Sequence, residues 1–402
     1  MNAFKNFMLG FATAIVLICG TVVILDLTGT VDFPELPING RKRTDIISDN
    51  TKTKVNEIGN YVDYYYLNDV DDTMMTDGIC AGVMAGLGDK YAAYYNGAQT
   101  ENYDAMINGT YRGIGVTVKK ISTGPAIIVG VNEDSPASRA GVMRGDRILK
   151  VDGKGVVKLS LDEVVSLIKT DKDEVTLTLR RRRKIIEITV EIEEIENESV
   201  EYMMLTDKVG YIYLSKFDKS TTEQFKDALD SMQADGMESL CLDLRNNGGG
   251  LVDIATDIAD FFYPKGESIC YTKDKNGVEV RYETENNDEL DIPVVLIANS
   301  QTASAAEILI GAFRDLSGSK LYGSKTYGKG IVQTAFSLSD GTVVKFTTAK
   351  YYTPKGDCIH EKGFEPDFQV ADADDTTFKE LTKNRDALLQ DACVSEAVKS
   401  LE

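Results

Sequence analysis

Ser304 and Lys329 are the side chains whose types and spacing could do covalent chemistry in this chain. The sequence holds one histidine, His360, so a serine hydrolase built from it would draw its base from lysine. A serine hydroxyl is a weak nucleophile until a neighbouring base takes its proton, and a lysine amine serves once burial disfavours its charged form. Ser-Lys variants of the catalytic triad are a known chemical solution. Ser304 lies in Gln301-Thr302-Ala303-Ser304-Ala305-Ala306-Glu307, just after the apolar run Val294 to Ala298, and Lys329 lies in Tyr327-Gly328-Lys329-Gly330. Small residues around Ser304 allow close approach of backbone or substrate, and glycines on both sides of Lys329 let the chain turn it inward. Residue type alone reads otherwise, with Ser304 a helix N-cap and Lys329 a solvated loop charge.

A glycine block supplies a third element. The apolar run Leu240 to Leu244 ends in Asn246-Asn247-Gly248-Gly249-Gly250, and Leu251, Ile254, Ala255, Ile258, Ala259 and Phe262 then follow at helical spacing. This predicts a strand, a tight turn and a helix N-terminus, where free backbone N–H groups suit an anion. The same turn could hold a phosphate, but neither Gly-x-Gly-x-x-Gly nor a Gly-Lys-Ser/Thr loop is present.

With these residues in view, the chain resembles the C-terminal processing peptidases, or tail-specific proteases, from about Val55 to Val370. The family nucleophile motif reads here as Thr302-Ala303-Ser304-Ala305-Ala306-Glu307, with Thr302 and Ala306 where flanking serines are frequent. The family lysine follows twenty-five residues on, in Gly328-Lys329-Gly330-Ile331-Val332-Gln333. Asp243-Leu244-Arg245-Asn246-Asn247-Gly248-Gly249-Gly250 matches a third block, with Gly248 where proline is usual. The resemblance implies Ser304 as nucleophile, Lys329 as base and Gln333 as the residue steadying the lysine. It also implies an oxyanion hole formed by the backbone of Ala305 and of Gly249 or Gly250, two glycines that the sequence does not separate.

Tyr111 to about Val190 resembles a PDZ domain. Its marks are Arg112-Gly113-Ile114-Gly115-Val116, Ser135-Pro136-Ala137, and Gly145-Asp146-Arg147-Ile148-Leu149-Lys150-Val151-Asp152-Gly153. In such domains the Gly113, Ile114, Gly115 and Val116 turn offers N–H groups to a terminal carboxylate, and the next strand pairs with the peptide. The family often carries arginine where Lys169 stands, and there it links peptide binding to assembly of the site. Lysine keeps the charge and loses the bidentate fork. Leu87-Gly88-Asp89-Lys90-Tyr91-Ala92-Ala93-Tyr94 resembles the family's helical leader, which packs and, in some members, makes a dimer contact. The resemblance thus leaves a homodimer and an activating partner open.

The elements that must position these groups follow from patterning. Strand and helix alternate after Ser199: strand Val209 to Leu214, helix Thr221 to Ala234, strand Leu240 to Leu244, helix Leu251 to Tyr263, strand Val294 to Ala298, helix Ser304 to Arg314, strand Thr342 to Tyr352. The fold class is therefore multi-domain α/β. The expected order is a transmembrane anchor over 1–26, a linker over 27–44, a helical region over 45–110 and a PDZ domain, a small β-sandwich or barrel, over 111–192. A crotonase-like or Clp-like α/β peptidase core follows over 193–375, then a C-terminal helix over 376–402. Residues 7–25, nineteen without a charge, are long enough to span a bilayer. Lys5 precedes them, which keeps the N-terminus inside and the remainder extracytoplasmic, on a single-pass cell-membrane protein, although Arg41-Lys42-Arg43 blurs the asymmetry.

A formal charge of -20 argues against nucleic acid as a partner. The basic run Arg180 to Lys184 falls between two alternating apolar strands and reads as a solvated hairpin end. None of the six cysteines forms a Cys-x-x-Cys pair, so no metal site and no cofactor is expected; Cys241 reads as a core residue and His360 as structural or exposed. The Tyr64-Tyr65-Tyr66 cluster reads as core or interface. The function expected is a membrane-anchored extracytoplasmic serine endopeptidase that captures protein C-terminal tails and cleaves with a Ser-Lys dyad. Its rivals are a non-catalytic PDZ tail-binding scaffold and a coenzyme A enzyme on a related core.

Overall fold

A computed structural model of the chain describes residues 47–120, 124–170, 172–286, 289–371, 378 and 381–402. The expected anchor over 7–25 and its linker lie outside the described residues, and no described helix is long and apolar enough to cross a membrane. The chain divides into two units, residues 1–71 and 72–402. In the first, Ser48 caps the helix Asp49–Tyr65 by accepting the Thr51 N–H at 3.2 Å. Tyr64, Tyr65 and Tyr66, expected in a core or interface, are exposed there.

The second unit is built on a six-stranded sheet in the order Val200–Met204, Val209–Leu214, Ser239–Asp243, Val294–Ala298, Leu321–Gly323, Phe368–Gln369. The first pair is antiparallel and the others parallel. Its central strands are fully buried, and alternate residues face opposite layers. Ile212, Leu214, Leu240 and Leu242 meet the helices Thr221–Ala234, Val252–Asp260 and Ala305–Leu316. Tyr211, Tyr213 and Cys241 meet the chain's C-terminal segment. That segment, expected as one helix over 376–402, contains the two helices Arg385–Gln390 and Ala392–Lys399. Asp391 between them is extended, and its side chain caps the second helix through the Val394 N–H at 3.0 Å.

A second sheet is centred on Val343–Tyr352, which pairs with Ser268–Asp274, Ile331–Ser337 and Ala93–Tyr95. The last strand comes from the region expected to be helical: a three-residue strand between the helices Asp72–Ala85 and Gly97–Asn108 is too short for periodicity to reveal. The PDZ-like region forms its own sheet, ordered Val116–Lys119, Ala126–Val131, Arg147–Val151, Glu174–Arg181, Lys184–Glu191. Its core includes Ile128, Ile148, Val175 and Leu177. Arg182 and Arg183 are exposed at the turn of the last hairpin, as the charge run predicts.

Candidate active site

The turns that carry the glycine block and Ser304 leave the carboxyl ends of neighbouring parallel strands, Ser239–Asp243 and Val294–Ala298, which is where open α/β sheets place their ligands. They are stitched together. The Ala303 N–H donates to Asn247 O (2.9 Å), the Asn246 N–H to Asn299 Oδ1 (3.0 Å), and Thr302 Oγ1 to Leu244 O (2.8 Å). Below them Arg245, fully buried, reaches Asp243 through Nε and Nη2 and Asp391 through Nη1 at 3.1 Å to both oxygens. The C-terminal segment is thereby tied to the glycine turn by a charge cluster excluded from water.

Ser304 sits at the N-cap of Ala305–Leu316, but not as an ordinary cap. Its φ is 59° and ψ is -121°, whereas N-cap residues adopt extended backbone. A non-glycine residue held at positive φ costs energy that its surroundings must supply, and such strain clusters at functional sites. The surroundings here are Glu307, whose carboxylate is fully buried. Oε2 accepts the backbone N–H of Ser304 (3.0 Å) and of Lys329 (2.8 Å); Oε1 accepts the Gly328 N–H (2.8 Å) and Thr326 Oγ1 (2.6 Å). Burial pushes this carboxyl up, and the four donors work against that push. One carboxylate therefore fixes the backbones of the expected nucleophile and the expected base. Glu307 was visible in the motif, but nothing in its sequence position disclosed this role, because its burial arises only in the fold.

Ser304, Lys329 and Gln333 line one cavity of about 380 Å³ with Gly249, Gly250 and Lys345, and apolar side chains such as Ile107, Leu251 and Ile308 complete it. Burial pushes the Lys329 amine below its usual range, with the nearby Lys345 charge the next cause. The Tyr91 ring covers the amine, its centroid 4.6 Å from Nζ. Gln333 Nε2 donates to Ile331 O at 3.3 Å, so its amide faces its own strand rather than donating to the lysine.

The two glycines differ. The Gly249 N–H donates to Asn247 Oδ1 at 2.8 Å and is occupied. Gly250, at φ 154°, lies so close to the backbone of Phe217 that a Cβ would fall 1.9 Å from its carbonyl oxygen. Asn247 is held in turn by its Nδ2, which donates to Leu214 O at 2.7 Å. His360 packs its backbone against Gly330, and Cys241 is a buried core residue.

Gly113, Ile114, Gly115 and Val116, the expected carboxylate turn, do not line this cavity. Gly113 ends the strand Thr110–Gly113, Ile114 is buried, and Gly115 turns at φ 77° against Ser135. Val116 opens the strand Val116–Lys119, which lies at the edge of its sheet and leaves one side for β-strand addition. Lys169 ends the helix Leu161–Ile168 with Nζ 5.7 Å from the centre of the Tyr111 ring. It lines a second cavity that shares Met106 and Lys216 with the catalytic one. No described group of side chains could hold a metal ion.

Residues 208–370 match the model of peptidase family S41, and residues 127–181 match that of the PDZ domain. The chain is similar to a probable CtpA-like serine protease of Staphylococcus aureus (strain MSSA476), with 35% identity over 361 residues, 88% of this chain and 71% of that protein. It is also similar to the carboxy-terminal processing protease CtpA of Bacillus subtilis (strain 168), with 33% identity over 364 residues, 90% of this chain and 77% of that protein. A solved S41 protease of Bacteroides fragilis NCTC 9343 has the same fold, with a TM-score of 0.54 and 16% identity over 83% of this chain and 92% of that one.

Proposed function

The chain belongs to peptidase family S41 and is a serine-type endopeptidase of the C-terminal processing kind with a PDZ domain, and on that premise we propose that it cleaves with a Ser304-Lys329 dyad. The Ser304 hydroxyl attacks the scissile carbonyl carbon as its proton passes to Lys329 Nζ. The tetrahedral oxyanion takes hydrogen bonds from the backbone N–H groups of Ala305 and Gly250; Gly249 is excluded because its own N–H is spent on Asn247. Collapse expels the amine, which leaves with the proton from Lys329, and water, deprotonated by the same lysine, then hydrolyses the acyl-serine. Gln333, with its Nε2 held by Ile331 O, has its Oε1 left to accept from the lysine ammonium.

Substrates are proteins whose C-terminal tails add to the edge strand beginning at Val116, with the carboxylate at the Gly113 to Gly115 turn. Residues 7–25 anchor the chain in the cell membrane, with the catalytic part outside the cytoplasm; resistance to alkaline carbonate extraction is the test of that anchor. The observation that best supports the dyad is the single carboxylate of Glu307 holding the backbones of Ser304 and Lys329 around one cavity.

The full-length chain in detergent, incubated with a protein bearing an apolar C-terminal tail beside the Ser304→Ala and Lys329→Ala variants, tests the reading. Cleavage by the parent alone is expected. Tail binding without cleavage by any of the three would favour the scaffold instead.

A further inference from the structure

The cavity holds two lysines besides Lys329: Lys216 is paired with Asp218 at 2.6 Å, whereas Lys345 is placed by a segment outside both matched family regions. Lys345 lies on the strand Val343–Tyr352, where its Cα pairs with Ala93 of the strand Ala93–Tyr95. Its Nζ is 5.2 Å from the ring centres of both Tyr95 and Tyr103, and these rings stack on each other at 4.8 Å and 17°. The chain carries 64 acidic against 44 basic residues, yet among the described residues neither Lys345 nor Lys329 forms an ion pair. Two cations in one cavity with no carboxylate partner are costly to keep for packing alone.

Cation–π contacts favour the charged form of an amine by about 0.5–2 kcal/mol. Lys345 faces two rings and Lys329 one. We propose that Lys345, clamped by Tyr95 and Tyr103, is a positioning residue for the general base, its fixed charge keeping the Lys329 amine neutral and able to accept the Ser304 proton. This rests on the reading of Lys329 as the base.

The other charged and titratable groups around Lys329 do not reverse the effect. Asp89, the nearest acid, is held by the N–H groups of Tyr91 and Thr347, both at 2.9 Å. Lys90 stacks over Tyr91 at 4.8 Å and donates to Tyr327 OH at 3.4 Å, adding repulsion to that of Lys345. The attraction of Asp89 and Tyr327 opposes these two, and burial, the largest cause, together with the Lys345 charge holds Lys329 below its usual range. A neighbouring cation that lowers a lysine's pKa and so frees its amine is an established chemical device.

The test is the pH dependence of kcat/KM for the full-length chain and its Lys345→Gln, Lys345→Arg and Tyr103→Leu variants, with circular dichroism to verify folding. Loss of the charge is expected to move the acid limb of Lys345→Gln up by about one pH unit. Activity on that limb then falls about tenfold and converges with the parent at high pH. Lys345→Arg keeps the limb where it is, and Tyr103→Leu moves it part of the way. A uniform loss at all pH, or a raised KM with the limb unmoved, would overturn the proposal in favour of a structural or substrate-contact role. Lys329→Ala separates the two readings. If it retains activity, the base assignment and this proposal fall together; if it is inactive while the Lys345→Gln limb stays put, this proposal alone falls.

Discussion

Ser304, Lys329 and Glu307 form one unit in which a buried carboxylate holds a strained serine backbone and the lysine's backbone together. Ser304→Ala is expected to lose at least about a thousandfold in kcat while its tail affinity, read by fluorescence anisotropy, is unchanged. Lys329→Arg should be as inactive, because guanidinium does not give up its proton. Glu307→Gln places an amide N–H₂ where a donor now points, leaving at least one buried donor unpaired. A drop in melting temperature equivalent to about 1–3 kcal/mol is expected, with kcat falling more than KM rises. The buried amine also has a stability cost of definite sign. Lys329 binds its proton less tightly folded than unfolded, so the cost is full at pH values below its folded pKa and vanishes as pH rises to the unfolded value. Lys329→Met should therefore melt higher than the parent at neutral pH, and a pH series of melting curves should show the gain shrinking toward pH 10.5. At this scale the sequence was most readable where the chemistry is carried by adjacent residues. Ser304 and Lys329 stand in local motifs, but the choice between Gly249 and Gly250 turns on the direction of the Asn247 side chain, which no spacing encodes.

Among the elements, the glycine turn has the least freedom. A Cβ on Gly250 would fall 1.9 Å from Phe217 O, and one on Gly249 would fall 2.7 Å from Ser304 Cβ and from Ala303 O. Both are backbone or near-backbone obstacles, so Gly249→Ala and Gly250→Ala should each abolish cleavage and lower the melting temperature. The core was legible because its central strands, buried on both faces, read as continuous apolar runs, and its helices bury one face near a 3.6-residue period. Two features escaped. The strand Ala93–Tyr95 is short and derives its identity from Val343–Tyr352, and the Asp89 contact with Thr347 bridges residues 258 apart in sequence. The break at Asp391 is set by Arg245, whose buried guanidinium needs that carboxylate. Asp391→Ala, which leaves half of the cation's partners missing, should cost about 3–5 kcal/mol in denaturant unfolding and disturb the glycine turn from the far side of the sheet.

At the scale of residues 72–402, the helix Gly97–Asn108, the PDZ domain and the peptidase core meet at adjoining cavities. The one lined by Ser304 and Lys329 shares Met106 and Lys216 with the one that Lys169 lines, which sets the PDZ domain beside the proposed dyad. Domain order was readable from motif blocks, whereas the contribution of the leader to the lysine's surroundings was not, since it arises only when the chain folds back on itself. Everything turns on Ser304 being a nucleophile activated by Lys329. The most direct measurement is to label the full-length chain with a serine-directed fluorophosphonate and locate the adduct by peptide mass spectrometry, in the parent and in Lys329→Ala. A single adduct on Ser304, lost in Lys329→Ala at neutral pH, is expected; an adduct on another residue, or undiminished labelling without the lysine, would contradict the dyad.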